Sequence, residues 1–181
     1  MVFSYKRILV PYDGSKPSEN ALQQAIQLAN LSFSSATTTE NIHIILLHIV
    51  EEIHIRIPNL YFGLRILAGK PLKEFLKEAY EEMRNEALKT LEDTKKRIES
   101  SIIVNNNNKK DMALVSISVN SQVIIGNPAE VIIDLANNKE KVDLIIMGST
   151  GLKGISKVRA LGSVSRAVSE NANCPVMLVH W

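Results

Sequence analysis

The chain has a single cysteine, Cys174, in 181 residues. That excludes an intramolecular disulfide framework and any Cys-X-X-Cys metal site, and it fits a reducing compartment, with the cytoplasm as the expected location. Excess charge of either sign is also missing: 21 Lys and Arg stand against 19 Asp and Glu, a formal net charge of +2. Such a balance provides neither a basic surface for nucleic acid nor an acidic tail. Long hydrophobic runs are absent too. The longest, Ile42 to Val50, contains His43 and His48 and falls far short of the about 20 residues needed to cross a bilayer, so the expectation is a soluble protein with no membrane partner. Met1 to Leu9 lacks a sustained apolar segment with a small-residue cleavage site, and no secretory signal is read there. No repeat of fixed period divides the chain, and its length suits one domain over residues 1–181.

What is present alternates between strand and helix patterns. Lys6 to Tyr12 is a short apolar run that ends at Asp13-Gly14-Ser15, as a buried strand entering a turn would. Ser15 then caps a helix carrying Leu22, Ala25, Ile26 and Ala29 at helical spacing, with Pro17 in its first turn. Asn30 to Asn41 is polar and reads as a surface loop, and Ile42 to Val50 as a strand covered on both faces. Glu51 to Ala68 has no sustained period and reads as an ordered excursion, which would cover a ligand, contact another subunit or pack on itself. Gly69 to Ser101 is the clearest helix: Leu72, Phe75, Leu76, Ala79, Met83, Ala87, Leu91 and Ile98 form one apolar stripe. The polyasparagine run Asn105 to Asn108, with the charged residues after it, is expected to be a loop. Ala113 to Ile125 reads as a third strand with an irregularity near Asn120 and Ser121. Asn127-Pro128-Ala129-Glu130 is a helix start, with a capping asparagine, proline at the first helical position and glutamate at the third. Val142 to Met147, Ser163 to Asn171 and Val176 to Val179 complete the order as strand, helix and strand.

Five strands alternating with helices select a doubly wound α/β sheet, mainly parallel, with right-handed crossovers. Ligands of such sheets bind beyond the carboxyl ends of the strands, where the winding reverses. Two strand ends carry unusual residues: Pro11 to Ser15 after the first strand, and Gly148-Ser149-Thr150-Gly151 after the fourth. The second segment closes with Leu161-Gly162-Ser163-Val164-Ser165 at a helix start, where glycines allow close approach and backbone amides favour an anion such as phosphate. Ser163 and Ser165 are candidate hydroxyl donors, and Lys153, Lys157 and Arg159 place positive charge within the loop. The loops of known nucleotide enzymes are poorly matched. There is no glycine-lysine-serine/threonine ending of a Walker A loop, only Gly14 follows the first strand where a dinucleotide loop belongs, and the serine-rich loop of ATP pyrophosphatases is missing after Val10. A phosphoacceptor receiver needs an aspartate after the third strand, where this chain has Gly126-Asn127. His43 and His48 are five positions apart on a strand, so they point to opposite faces and form no ligand pair.

Several segments in one order resemble the universal stress protein family: Arg7 to Ser15, Leu46-Leu47-His48-Ile49, Gly126 to Glu130 with Ile132, Asp143 to Ser149, and Leu161 to Ser165 with Cys174-Pro175-Val176. The resemblance spans essentially the whole chain. It implies a five-stranded parallel sheet of order 3-2-1-4-5 with helices on both faces, an ATP site with Mg²⁺ accompanying the triphosphate, a homodimer through the last strand, and a stress-response or regulatory role. By the same resemblance Asp13 would bond the ribose, Pro11 and Ile49 would line the adenine pocket, Met147 and Gly148 would lie beside base and sugar, and Gly151, Gly162, Ser163 and Val164 would surround the phosphates. These groups suit such a ligand chemically. No residue is assigned to catalysis or to a dedicated metal cage, and any ATP hydrolysis would be slow.

Two alternatives stay open. The family pattern has nine residues between the second and third glycines, whereas this chain has ten between Gly151 and Gly162, which leaves room for a dimeric scaffold that binds no nucleotide. Asp13 before Gly14-Ser15 has a structural reading as well, as a turn stabiliser or helix cap.

Overall fold

The computed structural model describes residues 5–33, 41–52, 71–107, 117–151 and 161–180. Strand β1 (Arg7–Pro11) leads through Asp13-Gly14-Ser15 into helix α1 (Lys16–Phe33). Ser15 starts the helix: its Oγ accepts from the Ser18 amide at 3.3 Å and its carbonyl from the Glu19 amide at 2.9 Å. Strand β2 (Ile42–Glu51), the long helix α2 (Leu72–Asn107) and strand β3 (Ile117–Gly126) follow. Helix α3 (Pro128–Asp134) starts as its sequence predicts, with the Asn127 side chain accepting from the amides of Ala129 and Glu130 at 3.0 and 3.3 Å. It runs into one π-helical turn, Leu135–Lys139, before strand β4 (Leu144–Gly148). Helix α4 (Ser163–Asn171) and strand β5 (Val176–Val179) end the order.

The five strands are parallel, in the order β3-β2-β1-β4-β5. Alternation along each strand divides the apolar side chains between two faces. Ile8, Val10, Ile44, Leu46 and Ile146 pack with Ala21, Leu22 and Ala25 of α1 and with Leu91 and Ile98 of α2. Leu9, Ile45, Leu47, Ile145 and Met147 pack on the opposite side with Ile132 of α3 and Val168 of α4. Each leucine, isoleucine, valine or methionine side chain removed from water contributes about 1.5–3 kcal/mol. Both strand faces are therefore covered, as a parallel sheet requires.

Two expectations need correction. Helix α2 continues through Asn107, so most of the asparagine run is helical rather than loop. Asparagine costs at most about 0.7 kcal/mol per residue in a helix, and an already nucleated helix adds a hydrogen bond with each residue. Strand β3 also shows no irregularity: its ten residues pair in unbroken register with β2, including Asn120 with Ile45 and Ser121 with Leu46. The polar groups are accommodated in place, with Asn120 exposed and Ser121 Oγ donating to Glu92 Oε1 of α2 at 3.2 Å. The excursion at residues 53–68 and the charged loop residues Lys153, Lys157 and Arg159 lie outside the described residues. Among the described residues no helix is long and apolar enough to cross a membrane.

Candidate functional site

The winding reverses between β1 and β4, which are neighbours in the sheet. They are registered at two pairs, Ile8 with Leu144 and Leu9 with Ile145, whereas β1 and β2 stay paired as far as Pro11 with Leu47. Beyond these pairs the carboxyl ends of β1 and β4 lead into the two segments singled out from the sequence, and the segments meet. An ideal Cβ on Gly151 would lie 2.8 Å from Asp13 Oδ2. The space beside the carboxylate thus depends on position 151 having no side chain.

Asp13 sits in a tight turn. Its Oδ1 accepts from the Ser15 amide at 3.0 Å, and Gly14 between them has φ +78°, a left-handed conformation that glycine adopts without strain. The turn-stabilising reading of Asp13 is therefore correct for Oδ1, while Oδ2 faces Gly151.

On the β4 side, Ser149 fixes the loop. Its amide donates to Val179 O at 2.9 Å, and its carbonyl accepts from the Gly162 amide at 2.9 Å and from Ser165 Oγ at 2.7 Å. These bonds bring the end of the glycine-rich segment back to its beginning and set the first turn of α4 beside the end of β4. Gly162 is the N-cap of α4 and makes no side-chain cap bond, so the amides of Ser163 and Val164 open the helix at the loop base. The Ser165 hydroxyl, expected from sequence as a ligand donor, is instead buried and bonded to Ser149 O and Gly162 O. Its position three residues after the N-cap was the available signal for that role.

Pro11, Ile49 and Met147 occupy odd positions on β1, β2 and β4 and so share one sheet face. Met147 is buried in the apolar cluster on the α3–α4 side, against which Ile49 and Val164 also pack. The Met147 side chain is thus part of the core. Gly148 has a packing reason of its own: a Cβ there would lie 2.7 Å from Pro17 Cβ and 2.9 Å from Pro17 C. The first turn of α1 rests directly on the last residue of β4. Cys174 also packs on the α3–α4-side cluster, where burial pushes its thiol above the usual range and keeps it protonated.

Residues 4–180 match the model of the universal stress protein family, and the chain belongs to that family. It is 32% identical over 181 residues to universal stress protein MJ0577 of Methanocaldococcus jannaschii, covering 99% of this chain and 97% of that one. The solved structure of MJ0577 superposes with a TM-score of 0.69 at 28% identity, covering 98% and 96% of the two chains. UspA from Lactobacillus plantarum shares the fold, with a TM-score of 0.70 at 20% identity over 98% of this chain and 99% of that chain. So does a universal stress protein solved in complex with cAMP, with a TM-score of 0.52 at 21% identity over 98% of each chain.

Proposed function

We propose that the chain binds an adenine nucleotide, ATP accompanied by Mg²⁺, between the ends of β1 and β4, and acts as a nucleotide-dependent stress-response or regulatory module in the cytoplasm. The observation that carries this reading is the meeting of Asp13 Oδ2 with the bare backbone of Gly151. A carboxylate there suits ribose hydroxyls, and the apolar groups of Pro11 and Ile49 on one sheet face suit a purine. Met147 and Gly148 lie beside base and sugar. Gly151 and Gly162 leave room for phosphates, which the first amides of α4 at Ser163 and Val164 favour. Bound Mg²⁺ would supply charge neutralisation for the triphosphate. No side chain is assigned to catalysis, and any hydrolysis is slow. A protein of the same fold has been solved with cAMP, which supports a nucleotide as the kind of ligand.

Calorimetry with ATP and Mg²⁺ tests the reading. Saturable binding by the native chain is expected, weakened about tenfold or more in Asp13→Ala, the scale of losing a hydrogen bond to a charged group. Absence of binding by the native chain rejects the site. The ten residues between Gly151 and Gly162 favour a second reading, a scaffold of the same fold that binds no nucleotide. Mass spectrometry of small molecules released from freshly purified, denatured protein separates the two.

We also propose a homodimer through β5. That strand is at the sheet edge, and its Met177 is 40% exposed. An edge strand carrying apolar side chains is a template for pairing.

A further inference from the structure

Tyr12 lies between two residues of the candidate site, yet its side chain turns to the opposite side of the sheet and joins the core beneath α1 and α2. Its hydroxyl donates to Glu19 Oε2 at 3.0 Å. Glu19 receives a fork from Arg97 of α2, with both guanidinium nitrogens at 2.9 Å, and Gln23 Nε2 reaches Glu19 Oε1 at 3.2 Å. With four donors on two oxygens, the Glu19 carboxylate has its accepting capacity taken up and its orientation fixed.

The chain running from Tyr12 to Glu19 is the turn that carries Asp13, followed by the first turn of α1. Its backbone is anchored at both ends: the Tyr12 amide donates to Leu47 O at 2.8 Å, and the Glu19 amide to Ser15 O at 2.9 Å. Between those anchors Gly14, at φ +78°, is the conformationally permissive point. The Tyr12–Glu19 bond closes a side-chain bracket across this turn, and the Arg97 fork ties the bracket to α2.

We infer that Tyr12, Glu19 and Arg97 are positioning residues that hold the Asp13 carboxylate toward Gly151 and make α2 a lever on the site. The geometry stands on its own; the consequence for ligand affinity rests on the nucleotide reading above. The two are tested separately. In nucleotide-free protein, hydrogen exchange at the Ser15 amide, which Asp13 Oδ1 accepts, reports the position of Asp13 directly. Arg97→Met and Tyr12→Phe are expected to speed that exchange about three- to tenfold, with Arg97→Lys recovering part of the protection. Arg7→Met is the control, because it removes an ion pair with Glu140 at the other end of the sheet. It should leave Ser15 unchanged. In calorimetry, Arg97→Met and Tyr12→Phe should weaken ATP binding about three- to tenfold while Arg7→Met does not. Ser15 exchange in Arg97→Met equal to that of the native chain overturns the inference, as does exchange speeded equally by Arg7→Met. Lack of ATP binding by the native chain overturns the nucleotide reading and leaves the exchange result to decide the positioning role.

Discussion

Replacing Gly151 with alanine tests whether the two strand ends form one site. The added methyl would sit 2.8 Å from Asp13 Oδ2. A carboxylate on a short side chain gives way by rotating, and rotation takes Oδ1 off the Ser15 amide, now 3.0 Å away. Losing that one hydrogen bond costs about 0.5–1.5 kcal/mol. Gly151 is outside the left-handed region, so alanine also restricts the unfolded chain and returns about 0.4–1 kcal/mol. The single variant should therefore be destabilised only slightly, by about 0–1 kcal/mol. In an Asp13→Ala background there is no carboxylate to displace, and Gly151→Ala should be stabilising by the unfolded-state term alone. The double-mutant cycle should then give a coupling of about 1 kcal/mol, against the few tenths typical of independent sites. Urea denaturation of the four proteins, with unchanged slope, measures it. A coupling below about 0.3 kcal/mol would refute the contact between the two strand ends.

Gly148→Ala should cost more than Gly151→Ala, because its methyl meets Pro17 C and Ser18 N at 2.9 and 3.0 Å, and helix backbone cannot rotate aside. A loss of about 1–3 kcal/mol in thermal or urea denaturation is expected, and native-like stability would show that α1 does not rest on β4 as described. The Arg97 fork holds the Glu19 carboxyl below its usual range, so Glu19 contributes stability above the ordinary carboxylate pKa and loses it as pH falls through the lowered folded-state value. Arg97→Met should consequently be less stable than the native chain near pH 7, by up to about 1 kcal/mol for this partly exposed pair, and should match it near pH 2. A difference that persists undiminished in acid would contradict that origin. Met177→Glu, which places charge on the β5 edge, should convert the proposed dimer to monomer in analytical ultracentrifugation; a native chain that is monomeric at micromolar concentration would remove the proposal.

Local chemistry made much of the fold readable. Ser163 to Asn171 and Val176 to Val179 have their predicted limits, since Gly162 opens the helix and Cys174-Pro175 separates it from the strand. The start of α3 followed from Asn127 and Pro128, and the strand order from the resemblance of several motifs in sequence. Unreadable features depend on residues far apart in the chain. The fork of Arg97 on Glu19 spans 78 positions, and neither residue breaks the pattern of a solvated helix face. The need for glycine at 148 comes from Pro17, which sequence spacing does not place beside it. Ser165 looked like a donor because a hydroxyl near a helix start serves equally well to bind an anion or to tie a loop, and only its burial against Ser149 decides.

The short register between β1 and β4 gives the sheet a seam. On one side β2 and β3 are zipped over ten residue pairs, and on the other β4 and β5 over four, but two pairs join the halves. A molecule lodged across that gap would act as a rivet, stiffening the join where the backbone ladder is thinnest. Filling or emptying the crevice would then be felt as a change in how firmly the two half-sheets hold together, well beyond the residues it touches.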